Sequence, residues 1–89
     1  MIFVINTKPE LTMLKLDLHD KTLEEAYQKC QEFINEAYIN NLKKVEIITG
    51  KSGSIRREFP FWAENNHRIQ YTTISEHGGS FVVKIEKKF

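Results

Sequence analysis

The chain has 89 residues, enough for one domain with a single modest core and too few for two. Its composition, 40% hydrophobic and 28% charged, is that of an ordinary soluble globular protein and argues against disorder. A formal net charge of +1 excludes a non-specific polyanion coat, while leaving room for a local basic patch facing nucleic acid. Cys30 is the single cysteine, so neither an intramolecular disulfide nor a cysteine-rich zinc site can form, and a reducing cytosol fits.

In chain order, residues 1–12 read as an N-terminal arm and residues 13–89 as one domain. The apolar start at residues 2–5 ends at Asn6, too short for a secretory segment or a membrane span. The expected location is therefore cytoplasmic, with no membrane partner. This arm either adds a short edge strand or lies against the domain. Residues 13–19 form the first expected strand, ending in Leu16-Asp17-Leu18-His19. Alternation along a strand puts Asp17 and His19 on one face and Leu14, Leu16 and Leu18 on the other. One face offers a carboxylate beside a titratable base, and the other a core.

A helix is predicted over residues 22–40, with apolar residues at helical spacing and a capping box of Thr22 and Glu25 at its start. Its N-terminus, next to Asp17 and His19, suggests a place for a bound anion. Asn40 and Asn41 supply a stop, because asparagine tolerates the left-handed conformation of a C-terminal cap. Residues 45–49 form a second strand, and a strand, helix and strand in this order make a βαβ unit with parallel strands. After the loop from Gly50 to Gly53, Ile55, Phe59, Trp62 and Ala63 repeat at helical spacing. Pro60 predicts a kink or a fresh start there. Phe59, Phe61 and Trp62 are assigned to the core, and Cys30 to the apolar face of the first helix as a buried, inert thiol.

Residues 68–75 and 80–86 alternate as two further strands, made antiparallel by the turn His77-Gly78-Gly79. The pattern is βαβαββ. It predicts an α+β fold (an α/β sandwich) of two layers, with a mixed four-stranded sheet and two helices on one face.

If the first three strands are parallel, Asp17 and His19, the Gly50–Gly53 loop and the His77 turn share the sheet's carboxyl edge, where ligands bind open sheets. Thr49-Gly50-Lys51-Ser52-Gly53-Ser54, with Arg56 and Arg57 following, has phosphate-binding composition: close backbone N–H groups, a lysine and a helix start. It is not a nucleotide-hydrolase P-loop, because Val45 stands where that motif needs glycine. Asp17 also reads as a helix-capping acid and His77 as a plain turn residue. Asp17, His19 and His77 make a thin ligand set for a divalent metal, and no cofactor is predicted.

The ordered set LDLH at residues 16–19, ITGK at 48–51 with Ile55-Arg56 after it, and His77-Gly78-Gly79 resembles the Smr (small MutS-related) domain over residues 14–86. The resemblance implies a fold similar to the C-terminal domain of the third bacterial translation initiation factor. It also implies a nucleic-acid endonuclease: some relatives nick DNA, others cut messenger RNA on ribosomes. By the same resemblance the catalytic pair falls on Asp17 and His19, the substrate loop on Thr49, Gly50, Lys51 and Gly53, and the late glycine element on Gly78 and Gly79. The sequence departs from the family at three places: Asp20 follows LDLH in place of glycine, the loop glycine is shifted to Gly53, and Phe81 replaces a last glycine.

The expected mechanism gives His19 the role of general base or acid, with Asp17 orienting it. Lys51, Arg56, Arg57 and the loop N–H groups then hold a phosphate. RNA offers its 2′-OH as an internal nucleophile, and DNA requires water or a metal-bound hydroxide. Metal-independent RNA cleavage is the favoured reading, with nucleic acid, on or off a ribosome, as partner. The competing reading is a non-catalytic Smr-like module that binds nucleic acid or the ribosome.

Overall fold

The computed structural model describes residues 13–87. The arm expected over residues 1–12 lies outside the described residues. Six elements follow in the predicted order: β1 (Lys15–Asp17), α1 (Leu23–Ile39), β2 (Lys44–Ile48), α2 (Ser54–Glu64), β3 (Ile69–Ile74) and β4 (Ser80–Ile85).

The strands lie in the spatial order β1-β2-β4-β3. β1 pairs parallel with β2, while β4 runs antiparallel to both β2 and β3. Strands β1, β2 and β3 consequently share one direction, and their carboxyl ends share one edge with the start of β4. Both crossovers progress the same way across the sheet, and the right-handed preference of such connections sends both helices to one face. The result is the two-layer α+β sandwich.

The core forms between that face and the helices. Leu18, Val45, Ile47, Phe81, Val83 and Ile85 from the sheet side are buried against Ala26, Cys30, Phe33 and Ile34 of α1 and Ile55, Phe59 and Ala63 of α2. Phe59 is fully buried and its ring centroid lies 4.7 Å from that of Phe81. Alternation puts Lys44, Glu46 and Ile48 of β2 on the opposite, open face.

Three local expectations are sharpened. The capping box of Thr22 and Glu25 is formed in both directions, and Asn41 takes φ 60° beyond the end of α1. Pro60 does not restart the second helix, which runs unbroken from Ser54 to Glu64. Proline's own φ suits a helix, and Phe59 and Ala63, buried on either side of the exposed Pro60, hold the turn despite the missing N–H. Phe61, assigned to the core from the sequence, is 57% exposed because it falls on the outer face of α2. Trp62 is half-buried and meets Tyr27 of α1 edge-on at 5.2 Å.

Candidate functional site

β1 ends at Asp17, two residues short of the expected end at His19, and the chain turns through His19 and Asp20 toward α1. The turn is held by its own polar groups. The backbone N–H of His19 donates to Asp17 Oδ1 at 3.1 Å, and the N–H of Lys21 donates to the Leu18 carbonyl at 3.1 Å. Leu18 is fully buried and its N–H donates to the Ile48 carbonyl of β2, so the turn is anchored to the core by its middle residue.

With Leu18 held inward, Asp17 and His19 project outward together. His19 Nδ1 lies 2.5 Å from Asp17 Oδ1, with about half of each side chain exposed. The bond has opposite effects on the two groups. The hydrogen bond to the imidazole holds the Asp17 carboxyl below its usual range, and the same carboxylate raises His19 above its ordinary value. Asp20 adds a smaller upward push on His19. Neutral His19 then carries its proton on Nδ1, toward Asp17, which leaves Nε2 as the acceptor on a half-exposed ring.

The loop after β2 is tied to the turn before β4. The N–H groups of Thr49 and Gly50 both donate to the Gly79 carbonyl, at 3.1 and 3.0 Å. Thr49 is buried and its hydroxyl donates to the Gly50 carbonyl at 2.9 Å, shaping the loop from within. Gly50 has φ +86°, and a Cβ there would meet His19 Cβ at 3.5 Å. The Lys51 side chain crosses Gly79, its Cγ 3.6 Å from where a Gly79 Cβ would stand. The predicted convergence of three elements is therefore physical: His19 abuts Gly50, Gly50 bonds Gly79, and Lys51 covers Gly79.

The two helix N-termini differ. That of α1, the sequence's first suggestion for an anion, is closed by its own capping box and carries Glu24 and Glu25 in its first turn. That of α2 has no side-chain cap, since Gly53 occupies the cap position at φ 102°, and no acidic residue in its first turn. Arg56 and Arg57 stand there instead, although cations are disfavoured at the positive end of a helix dipole. An anion at this end would satisfy both the open N–H groups and the arginines. Arg56 is held in place by the Phe81 ring, with its guanidinium 4.7 Å from the ring centroid and a buried Nε that no group among the described residues satisfies. Arg57 is exposed.

His77 is placed differently from the other predicted residues. Its Nδ1 accepts from the Gly79 N–H at 3.1 Å, and its Nε2 lies 3.2 Å from Ser75 Oγ. The imidazole thus braces its own turn, where Gly78 takes φ +81°. Ser75 Oγ is 3.0 Å from Ser80 Oγ, and the buried Ser80 hydroxyl donates to Glu46 Oε2 at 2.5 Å. Glu46 Oε1 in turn meets Lys15 Nζ at 3.8 Å. Sequence reasoning named His77 and missed Glu46, Ser75 and Ser80. The available signal was Glu46 itself, a carboxylate in the middle of a strand, flanked by Val45 and Ile47. Among the described residues no three histidine, cysteine or acidic side chains are grouped to hold a metal ion.

A family model described as the Smr domain matches residues 16–87. The chain belongs to the Smr domain family. Among curated relatives, it is 38% identical over 68 residues to Endonuclease MutS2 of Streptococcus mutans, a match covering 75% of this chain and 9% of that protein. It is 43% identical over 57 residues to Endonuclease MutS2 of Streptococcus suis, covering 63% and 7% respectively. The Smr chain thus spans under a tenth of the length of these relatives. The crystal structure of the Smr domain of Thermus thermophilus MutS2 shares the fold, with a TM-score of 0.78 at 22% identity over 83% of this chain and 99% of that one. YdaL, a stand-alone small MutS-related protein from Escherichia coli, superposes with a TM-score of 0.74 at 24% identity, over 82% and 64% of the two chains. No helix among the described residues is long and apolar enough to cross a membrane.

Proposed function

We propose that this Smr domain is an endonuclease that cleaves phosphodiester bonds in single-stranded RNA. The observation that carries the reading is the Asp17–His19 pair, an imidazole held through Nδ1 by the carboxylate and set against the Gly50–Lys51 loop. Membership of a family that includes MutS2 endonucleases supports a nucleic-acid substrate. A scissile phosphate belongs at the sheet edge between Lys51 and the uncapped start of α2, where Arg56 and backbone N–H groups offset its charge.

The step is an internal transfer. His19 Nε2 takes the proton of the ribose 2′-OH as that oxygen bonds to phosphorus. The bond from phosphorus to the 5′ oxygen breaks, that oxygen takes a proton from the water that reaches this exposed edge, and the hydroxide left behind takes the proton held on His19. The products are a 2′,3′-cyclic phosphate and a free 5′-OH. Asp17 holds the tautomer and stabilises the imidazolium that forms. The step draws on the chain, its substrate and solvent water.

A second reading, a non-catalytic module that docks on nucleic acid or the ribosome, is favoured by Asp20, whose charge stands beside the phosphate position. The test is cleavage of labelled single-stranded RNA, structured RNA and duplex DNA, each with and without EDTA. Cyclic-phosphate ends on single-stranded RNA in the presence of EDTA support the endonuclease. Binding of all three without cleavage establishes the docking module, and EDTA-sensitive nicking of DNA replaces the RNA reading with a metal-assisted one.

A further inference from the structure

The open face of the sheet carries three cross-strand rows. Nearest the catalytic edge, Asp17 pairs with Ile48 and Ile48 with Ser80. In the middle, Lys15, Glu46, Val82 and Thr73 follow one another across β1, β2, β4 and β3. At the far end, Lys44 pairs with Lys84 and Lys84 with Tyr71. Directly paired residues point to the same side, so the two lysines and the tyrosine stand in one line across the face.

This far row is unfavourable for the fold alone. Like charges directly opposite one another on neighbouring strands are destabilising. Among the described residues neither Lys44 nor Lys84 forms an ion pair, in contrast to Lys15, which is offset by Glu46. Tyr71 is 50% exposed, on a sheet face that no described element covers. A paired cation site beside an exposed aromatic ring suits a phosphate backbone whose bases stack. The half-buried Ile48 and Val82 continue an apolar track from this row toward Asp17 and His19. Four residues of strand separate the rows, roughly 13 Å at the rise of a β-strand, within the reach of a few nucleotides.

We propose that the open sheet face is a binding track for single-stranded nucleic acid, with phosphates on Lys44 and Lys84 and a base stacked on Tyr71. The track rests on the endonuclease reading for its direction, leading the strand up the face to His19. It does not depend on cleavage for its detection. The alternating Lys15–Glu46 pair leaves the middle row neutral, so the charge that holds the strand is concentrated at the far row and at the Lys51 edge.

The test is equilibrium binding of fluorescent oligonucleotides of about ten nucleotides, RNA and DNA in parallel, to the wild-type chain and to Lys44→Gln/Lys84→Gln and Tyr71→Ala. All three positions are solvent-facing, and circular dichroism checks that each variant is folded. The double variant is expected to lower the steepness of log affinity against log salt by about 1.4, the contribution of two phosphate contacts on a single strand. Tyr71→Ala is expected to weaken binding about tenfold at fixed salt, as loss of one stacked base does. A dinucleotide, which fills only the edge, is expected to bind all variants equally. Unchanged salt dependence and affinity in folded variants overturn the track while leaving the endonuclease reading standing. Binding that depends on these residues without any cleavage upholds the track and overturns the endonuclease. A wild-type chain that prefers duplex, or binds neither strand, overturns the track outright.

Discussion

Asp17 Oδ1 accepts two hydrogen bonds from His19, one from its backbone N–H at 3.1 Å and one from Nδ1 at 2.5 Å. One oxygen therefore fixes both the path of the turn and the orientation of the ring. The carboxylate raises the affinity of His19 for its proton. In Asp17→Asn that influence is lost, and the midpoint of His19 followed by NMR is expected to fall toward 6.5, the ordinary histidine value. An unchanged midpoint contradicts the pairing.

The same pair sets a pH window for its contribution to folding. His19, raised in the folded state, contributes stability that is complete below 6.5 and lost as pH rises through its folded value. Asp17, lowered, contributes stability present above 3.8 and lost as pH falls through its folded value. The contribution is greatest between those limits, and solvent exposure keeps it small. Denaturant midpoints of wild type and Asp17→Asn are expected to differ most near pH 5 and to converge toward either extreme.

Gly50 is the point at which the phosphate loop touches the base. At φ +86° any L side chain is strained, and its Cβ would stand in van der Waals contact with His19 Cβ at 3.5 Å. Gly50→Ala is expected to cost about 1–2 kcal/mol, a fall in Tm of roughly 4–16 °C for a domain of this size. The His19 resonances are expected to move with it. A variant with wild-type Tm and unmoved His19 signals would show that the loop relaxes freely.

Much of this arrangement was legible in the sequence. The βαβ order puts the ends of β1 and β2, with Asp17, His19 and Lys51, on one edge, and the His77 turn joined them on the condition that β3 runs the same way, which the sheet meets. The helix termini could not be ranked in that way, because whether a capping box closes on itself depends on side-chain geometry: α1 proves closed and α2 open. The choice between the two readings of His77, ligand-facing group or plain turn residue, depends on side-chain geometry in the same way. In the structure the Gly79 N–H and Ser75 engage both of its ring nitrogens. Pro60 shows the limit of local rules, since burial of Phe59 and Ala63 outweighs one lost N–H.

Ser80 links the open face to that turn. It is fully buried and its hydroxyl donates to Glu46, a carboxylate with only 14% of its side chain exposed. Ser80→Ala removes the donor and leaves the carboxylate underbonded, at an expected cost of about 1–3 kcal/mol by chemical denaturation. Ser80→Thr, which restores the hydroxyl, is expected to recover part of the loss. A neutral Ser80→Ala would mean that water replaces the hydroxyl.

Cys30 lies in the core, and burial pushes its thiol up to about 12. The native chain is expected to resist thiol reagents at pH 8, with labelling only on global unfolding. Labelling that increases with denaturant along the unfolding curve agrees with this, and rapid labelling of the native chain contradicts the packing of α1 on the sheet.

The most direct measurement of the proposed chemistry is cleavage of single-stranded RNA by wild type and His19→Ala, purified in parallel and assayed with EDTA present. The expected result is cutting by the wild type, with cyclic-phosphate ends, and a loss of at least about a hundredfold in the variant, as removal of a general base produces. Equal rates from the two proteins, or no cleavage by the wild type, would contradict a catalytic His19.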